Sequence, residues 1–244
     1  MNETPLQVFT SLDGQYHFNI LGALDEPSEY VNLFQLLRDA LAEDVINIYL
    51  NTPGGRVDTM IQIIICMNNS EATIVTHLEG LCHSAGTYIF LSGDEWVVNP
   101  NTLLLFHNYS GGAAGKGNEI IANVLANDVW IKQINDNIYY PFLSREEIDS
   151  INSDKDVWMN SDEVSKRLET VIAYRESLAT KEAVKARIAL KDQIDTLVQN
   201  DIALSEQERA LEEVRMALSI EEEIEEEERL VLEALERIEK LKGG

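Results

Sequence analysis

The sequence predicts an α/β domain with a largely parallel sheet, followed by a helix-only, coiled-coil-prone extension. Two observations predict it. Strand-like and helix-like hydrophobic patterns alternate through the first 174 residues. The composition then changes: all three Trp, all five Pro and 11 of the 13 Gly lie before Tyr174. After it there is no Trp, Tyr, Phe or Pro, and no Gly until Gly243 and Gly244. The expected domains are 1–174 and 175–244.

The elements follow in order. QYHFNIL (15–21) reads as a strand. EPSEYVNLFQLLRDALAE (26–43) reads as a helix, with Pro27 in its first turn and Tyr30, Leu33, Phe34, Leu37 and Leu41 on one face. VINIYL (45–50) is a buried strand that ends in the turn NTPGG. RVDTMIQIIICMNN (56–69) is a second helix, and ATIVTHL (72–78) another strand. A helix start at SAGTYIFLS, strands at EWVVN and TLLLFHN, a Gly-rich loop and a long helix over 119–141 complete the domain. In the extension, Leu204, Leu211 and Leu218 repeat in heptads with Val214. A second register holds Ile224, Val231 and Ile238 with Leu235, beyond the acidic block EEEIEEEER (221–229). A long helix or helical hairpin with coiled-coil tendency fits this pattern, and so does a solvated single helix.

The chain's 244 residues are 45% hydrophobic, enough for one sizeable core plus an appendage. A net charge of −24 argues against nucleic-acid or anionic-membrane partners, which want a basic face. Cys66 and Cys82 have no paired spacing and no His/Cys companions, so neither a disulfide framework nor a metal site is expected. The start, Met1-Asn2-Glu3-Thr4, carries no basic-then-apolar leader, and no apolar run reaches the ~18–20 residues of a membrane span. A cytoplasmic protein is the expectation.

In parallel sheets, chemistry gathers where strands end. Three strand ends carry suggestive residues. Gly54-Gly55 frees backbone amides to face a ligand, although a tight turn would need the same pair. Ser84 stands where a helix starts, as a nucleophile or as an ordinary N-cap. His107 ends an otherwise apolar strand. Singly these are weak, but serine-based hydrolysis needs them together: a hydroxyl, a base, an acid that orients the base, and backbone donors for an oxyanion. The loop SGGAAGKGNE (110–119) fails as a phosphate loop, because Ser110 and Gly117 stand where Gly and Ser/Thr are required.

NTPGG, HSAGTYIFLSG, LLLFHN and DVWMNSDEV occur in an order and at separations that resemble the Clp protease proteolytic subunit (ClpP) family, over residues 15–173. That family comprises self-compartmentalising serine peptidases with a crotonase-like ββα fold and a long helical handle. The resemblance implies Ser84 as nucleophile, His107 as general base and Asp156 as orienting acid, with Asp154 the competitor for the last role. It implies the amides of Gly55 and Ala85 as oxyanion hole, and Gly54, Gly111 and Gly112 beside the peptide groove. His83 is expected to line the cleft, since a side chain adjacent to Ser84 points elsewhere. No cofactor and no metal are implied. The implied partners are other copies of the chain in a ring, polypeptide substrates and an unfoldase ATPase, since no ATP motif lies in this chain. The chain departs from the family in lacking a Gly after the helix that follows Asp156, so TVIAY forms a short strand or runs into the long helix. The helical tail also fits a viral capsid-maturation protease with a scaffold-like appendage. A catalytically silent crotonase-like assembly protein and an acyl-CoA crotonase are the other classes.

Overall fold

The computed structural model describes residues 9–10, 14–199, 213–216, 218–220 and 224–234. The chain divides into compact units 1–168 and 169–244.

The first unit is built on a seven-stranded mixed sheet. In chain order the strands are β1 (Phe9–Thr10), β2 (Gln15–Leu21), β3 (Val45–Thr52), β4 (Thr73–His83), β5 (Glu95–Val98), β6 (Leu103–Phe106) and β7 (Val157–Asn160). The path runs β1-β2-β3-β4-β6-β7, with β5 beside β4. β2, β3, β4, β5 and β6 pair in parallel, while β1 and β7 are antiparallel to their neighbours. β4 is the spine. Its first half pairs with β5 at Val75–Leu78, and its last three residues pair with β6.

One face of the sheet makes the core. Phe18, Ile20, Ile46, Ile48, Leu50, Ile74 and Leu78 alternate inward and are at most 1% exposed. Helices α1 (Val31–Asp39) and α2 (Val57–Asn68) cover them with Leu33, Phe34, Leu37, Met60, Ile63 and Met67. Helix α3 (Ala85–Leu91) is buried at every position.

Several bounds differ from the sequence reading. The 26–43 helix becomes a 3-10 turn, Pro27–Tyr30, and then α1, which stops at Asp39. Ala40 is extended, and the Asp44 carboxylate accepts the Leu41 N–H at 2.8 Å, closing a turn that leaves Leu41 54% exposed. The 72–78 strand runs on to His83. Gly80 permits this, because a Cβ there would lie 2.6 Å from Asn51 Oδ1, which accepts the Leu81 N–H where the β3–β4 register shifts.

The long helix is α4 (Gly117–Tyr139), and α5 (Arg145–Asn152) follows it. Buried polar bonds tie them to α3. Thr87 Oγ1 and Tyr139 OH are 2.9 Å apart, Tyr88 OH donates to Asn135 Oδ1, and Asn135 Nδ2 donates to Asn152 Oδ1 at 2.7 Å. Helix α6 (Ser161–Gln199) then absorbs TVIAY into helix rather than strand.

In the second unit, 213–216, 218–220 and 224–234 are helical, including Val214, Leu218, Ile224 and Val231. The expected seam residues Leu204, Leu211, Leu235 and Ile238 lie outside the described residues.

Arg167 joins the start of α6 to α5. Its Nη1 and Nη2 donate to the two Glu147 oxygens at 2.6 and 2.8 Å, and Nη2 also donates to Glu163 at 2.7 Å. The guanidinium holds the Glu147 carboxyl below the usual range. Arg167→Ala should therefore lower stability by roughly 1–3 kcal/mol in urea unfolding at neutral pH. The difference from wild type should shrink as acid protonates Glu147, since a depressed carboxylate stabilises only while ionised.

Candidate active site

Ser84 ends β4 and precedes α3 with φ +53° and ψ −125°, a conformation that non-glycine residues rarely adopt. Its neighbours over-determine it. Its N–H donates to the Leu105 carbonyl on β6 at 2.9 Å, and its own carbonyl accepts the Thr87 N–H and hydroxyl at 2.9 and 2.7 Å. Its side chain makes no capping bond to α3. The ordinary N-cap alternative therefore does not account for this serine, and its Oγ is left for other work.

The NTPGG turn is packed directly against it. A Cβ on Gly54 would lie 2.6 Å from the His83 carbonyl, 2.7 Å from Ser84 Cβ and 2.9 Å from the Ala85 nitrogen, and φ there is +87°. Gly55, at φ +152°, leaves no room against the Leu24 backbone, 2.4 Å from where its Cβ would be. The isolated bridge between Leu24 and Gly55 uses the Gly54 carbonyl (2.8 Å) and the Arg56 N–H (3.0 Å). That pattern does not consume the Gly55 N–H. Thr52 Oγ1 takes the Gly54 N–H at 3.0 Å. The Ala85 N–H is a first-turn helix donor, which has no intrahelical acceptor. Gly86 lets α3 start this close, since a Cβ would stand 2.7 Å from Thr52 Cγ2.

His107 follows β6 and is half-buried. β6 and β7 pair antiparallel up to Phe106↔Val157, so His107 leaves β6 at the end where Asp156 enters β7. Ser84, His107 and Asp156 thus gather at one end of three adjacent strands. Among the described residues, no direct hydrogen bond joins Ser84 to His107 or His107 to Asp156. Asp154 is engaged elsewhere: at φ +62° its Oδ1 accepts the Asn108 side-chain amide at 2.7 Å.

His83 belongs to the opposite face of β4 from the buried Cys82, as adjacent strand positions must. In the sheet it pairs with Leu105, and Leu105 with Trp158. Its ring meets Trp158 edge-on, with centroids 5.4 Å apart at 82°. Its Nε2 is buried without a hydrogen-bond partner among the described residues. Burial, and secondarily the neighbouring His107, pull its pKa down. Cys82 and Cys66 are both buried, and burial pushes the Cys82 thiol well up.

A cleft of about 560 Å³ opens alongside, between the 108–113 loop, α4, the start of α2 and Asp154. Gly111 and Gly112 line it, whereas Gly54 lies against Ser84. The 110–116 loop is irregular backbone, with no strand. Asn108 and the Leu105 carbonyl were not visible as site residues in the sequence. The first could have been suspected from its place after a strand-end His, whereas nothing in a sequence marks a backbone acceptor. Among the described residues no cluster of three metal-ligating side chains occurs, and no helix is long and apolar enough to cross a membrane.

Residues 23–167 match the family model for Clp protease. Similar curated proteins include the ATP-dependent Clp protease proteolytic subunit of Leuconostoc citreum, 30% identical over 122 residues, covering 48% of this chain and 61% of that protein. ATP-dependent Clp protease proteolytic subunit 1 of Salinibacter ruber is 30% identical over 125 residues, 48% of this chain and 52% of its own. The chain spans between half and two thirds of these relatives' lengths.

The imidazoles carry a pH prediction. Burial lowers the pKa of both His77 and His83 from the ordinary 6.5. The unfolded chain then binds more protons in mild acid, so stability is full above about pH 6.5 and falls as the pH drops through it. The urea midpoint should be lower at about pH 5.5 than at about pH 7.5. His77→Gln with His83→Gln should flatten that difference.

Proposed function

The chain belongs to the Clp protease family, and on that premise we propose that it is a serine endopeptidase. The observation that carries the reading is Ser84 itself. It is a strained, uncapped serine packed against a side-chain-free turn, at the end of the sheet where His107 and Asp156 also arrive.

In this reading Ser84 Oγ attacks the scissile carbonyl carbon while His107 takes its proton. The carbonyl oxygen becomes an anion held by the N–H groups of Gly55 and Ala85, each such donor being worth about a hundred- to a thousandfold in rate. His107 passes the proton to the amine as the C–N bond breaks, leaving an acyl-Ser84. A water, deprotonated by His107, attacks the ester, and the acid product leaves with Ser84 restored. Asp156 orients the imidazole and balances its charge. Asp154 is the weaker candidate for that task because it is bonded to Asn108. The absence of a Ser84–His107 hydrogen bond among the described residues is compatible with sites whose bonds form only on substrate binding or assembly.

The proposal extends to a ring-type homo-oligomer that encloses polypeptide substrates, with an unfoldase ATPase as possible partner. Two observations support it. The two relatives are named ATP-dependent. Helix α4 presents Ile121, Leu125 and Val129 at 60–66% exposure, an apolar stripe that asks for a partner. The scaffold-like capsid-protease version shares the chemistry and draws on the helical segments of the second unit. Against the catalytically silent and acyl-CoA readings stands the complete Ser, His and Asp set.

Ser84→Ala should abolish labelling by a fluorophosphonate and cut peptide hydrolysis by at least about a thousandfold, and His107→Ala should do nearly as much. Thermal unfolding of both variants should match wild type. Labelling that survives in Ser84→Ala overturns the assignment.

A further inference from the structure

We infer that the cleft beside the reaction centre takes a basic substrate side chain, lysine or arginine, and so gives this peptidase a cationic specificity. The inference rests on the serine peptidase reading and names its substrate class.

The cleft is lined by near sequence neighbours of that centre, not by the centre's own residues. Asn108 follows His107, and Asp154 precedes Asp156 by two residues; both line it. Two carboxylates enter from different elements, Asp128 from α4 and Asp154 from the loop before β7. Among the described residues no lysine or arginine lines the cleft. Asp128 is bonded at 2.7 Å to Lys132, one helical turn on, and Asp154 uses one oxygen on Asn108. A carboxylate has about four acceptor positions, so both retain capacity for an incoming cation.

The remaining walls suit the stem of such a side chain. Trp130, 41% exposed, and Val124 line the cleft, and an indole can both cover methylenes and attract a cation. An apolar substrate side chain would fit the same volume. It would, however, strip water from two carboxylates and return nothing, which is unfavourable. The surrounding unit reinforces the choice: residues 1–168 carry 23 acidic against 8 basic side chains, a net −15. Such a field concentrates cationic polypeptides near the cleft.

The test uses the full chain and three fluorogenic peptides that differ only in Lys, Leu or Glu before the scissile bond. kcat/KM should favour Lys over Leu by about tenfold or more, mostly through KM, with Glu poorest. The preference should weaken as salt is raised. In Asp154→Asn and Asp128→Asn the Lys-to-Leu ratio should collapse toward one. A wild type that prefers Leu or Glu overturns the inference, and so does a ratio left unchanged in both variants. The latter is what would follow if Asp154 instead oriented the base and its loss slowed both peptides equally. Fluorophosphonate labelling of Ser84, read in parallel, separates the two levels. Labelling with the wrong preference sinks only the specificity. A wild type that neither labels nor cleaves sinks both.

Discussion

The closeness of the Gly54–Gly55 turn to Ser84 governs this site. Two residues without side chains let the end of β3 come within van der Waals limits of the His83–Ala85 backbone on one side and Leu24 on the other. Any Cβ at Gly54 would push against backbone atoms that cannot swing away, and the positive φ would add strain of its own. Through this contact the turn that carries Gly55 lies against the start of α3, with the Ala85 nitrogen 2.9 Å from where a Gly54 Cβ would stand. Thr52 and Gly86 repeat the logic one layer deeper, with a buried hydroxyl and an absent methyl fixing where α3 begins.

The second determinant is sheet register. Ser84 is pinned to β6 by the Leu105 carbonyl, and β6 is paired to β7. The same two strands therefore set where His107 leaves β6 and Asp156 enters β7. The buried bonds Thr87–Tyr139 and Tyr88–Asn135 then couple the helix behind the serine to α4. A shift of α4 has a direct mechanical route to Ser84, through side chains that tolerate little slack because their polar atoms have no water to fall back on.

Much of this was legible in the sequence. The strands Gln15–Leu21 and Leu103–Phe106 and the helix Val57–Asn68 follow from hydrophobic periodicity, and the Gly54-Gly55 turn packs against Ser84. What failed did so for identifiable reasons. Leu41 fits the helical face by spacing, but Asp44 captures its N–H and ends the helix. The 72–78 strand stops short of the real end of β4, where Gly80 lets Asn51 bridge a register shift. Helix α5 carried its signal in plain view, since Ser144 and Glu147 form a capping box. The absence of a breaker after Leu168 likewise favoured helix over strand at TVIAY. Side-chain pairings such as Asp154 with Asn108, and the orphan nitrogen of His83, come from tertiary packing and leave no local trace.

The burial of both thiols has a practical corollary. Cys82 sits two positions from the serine, sealed from solvent, with its ionisation suppressed, and Cys66 is sealed within α2. Only an exposed thiolate reacts readily with alkylating reagents. In its folded state the chain is therefore blank to maleimide chemistry without any substitution. One cysteine introduced on the rim of the cleft or on α4 would be a unique attachment point for a dye or a crosslinker, and the site's movements could be followed in the otherwise unaltered protein.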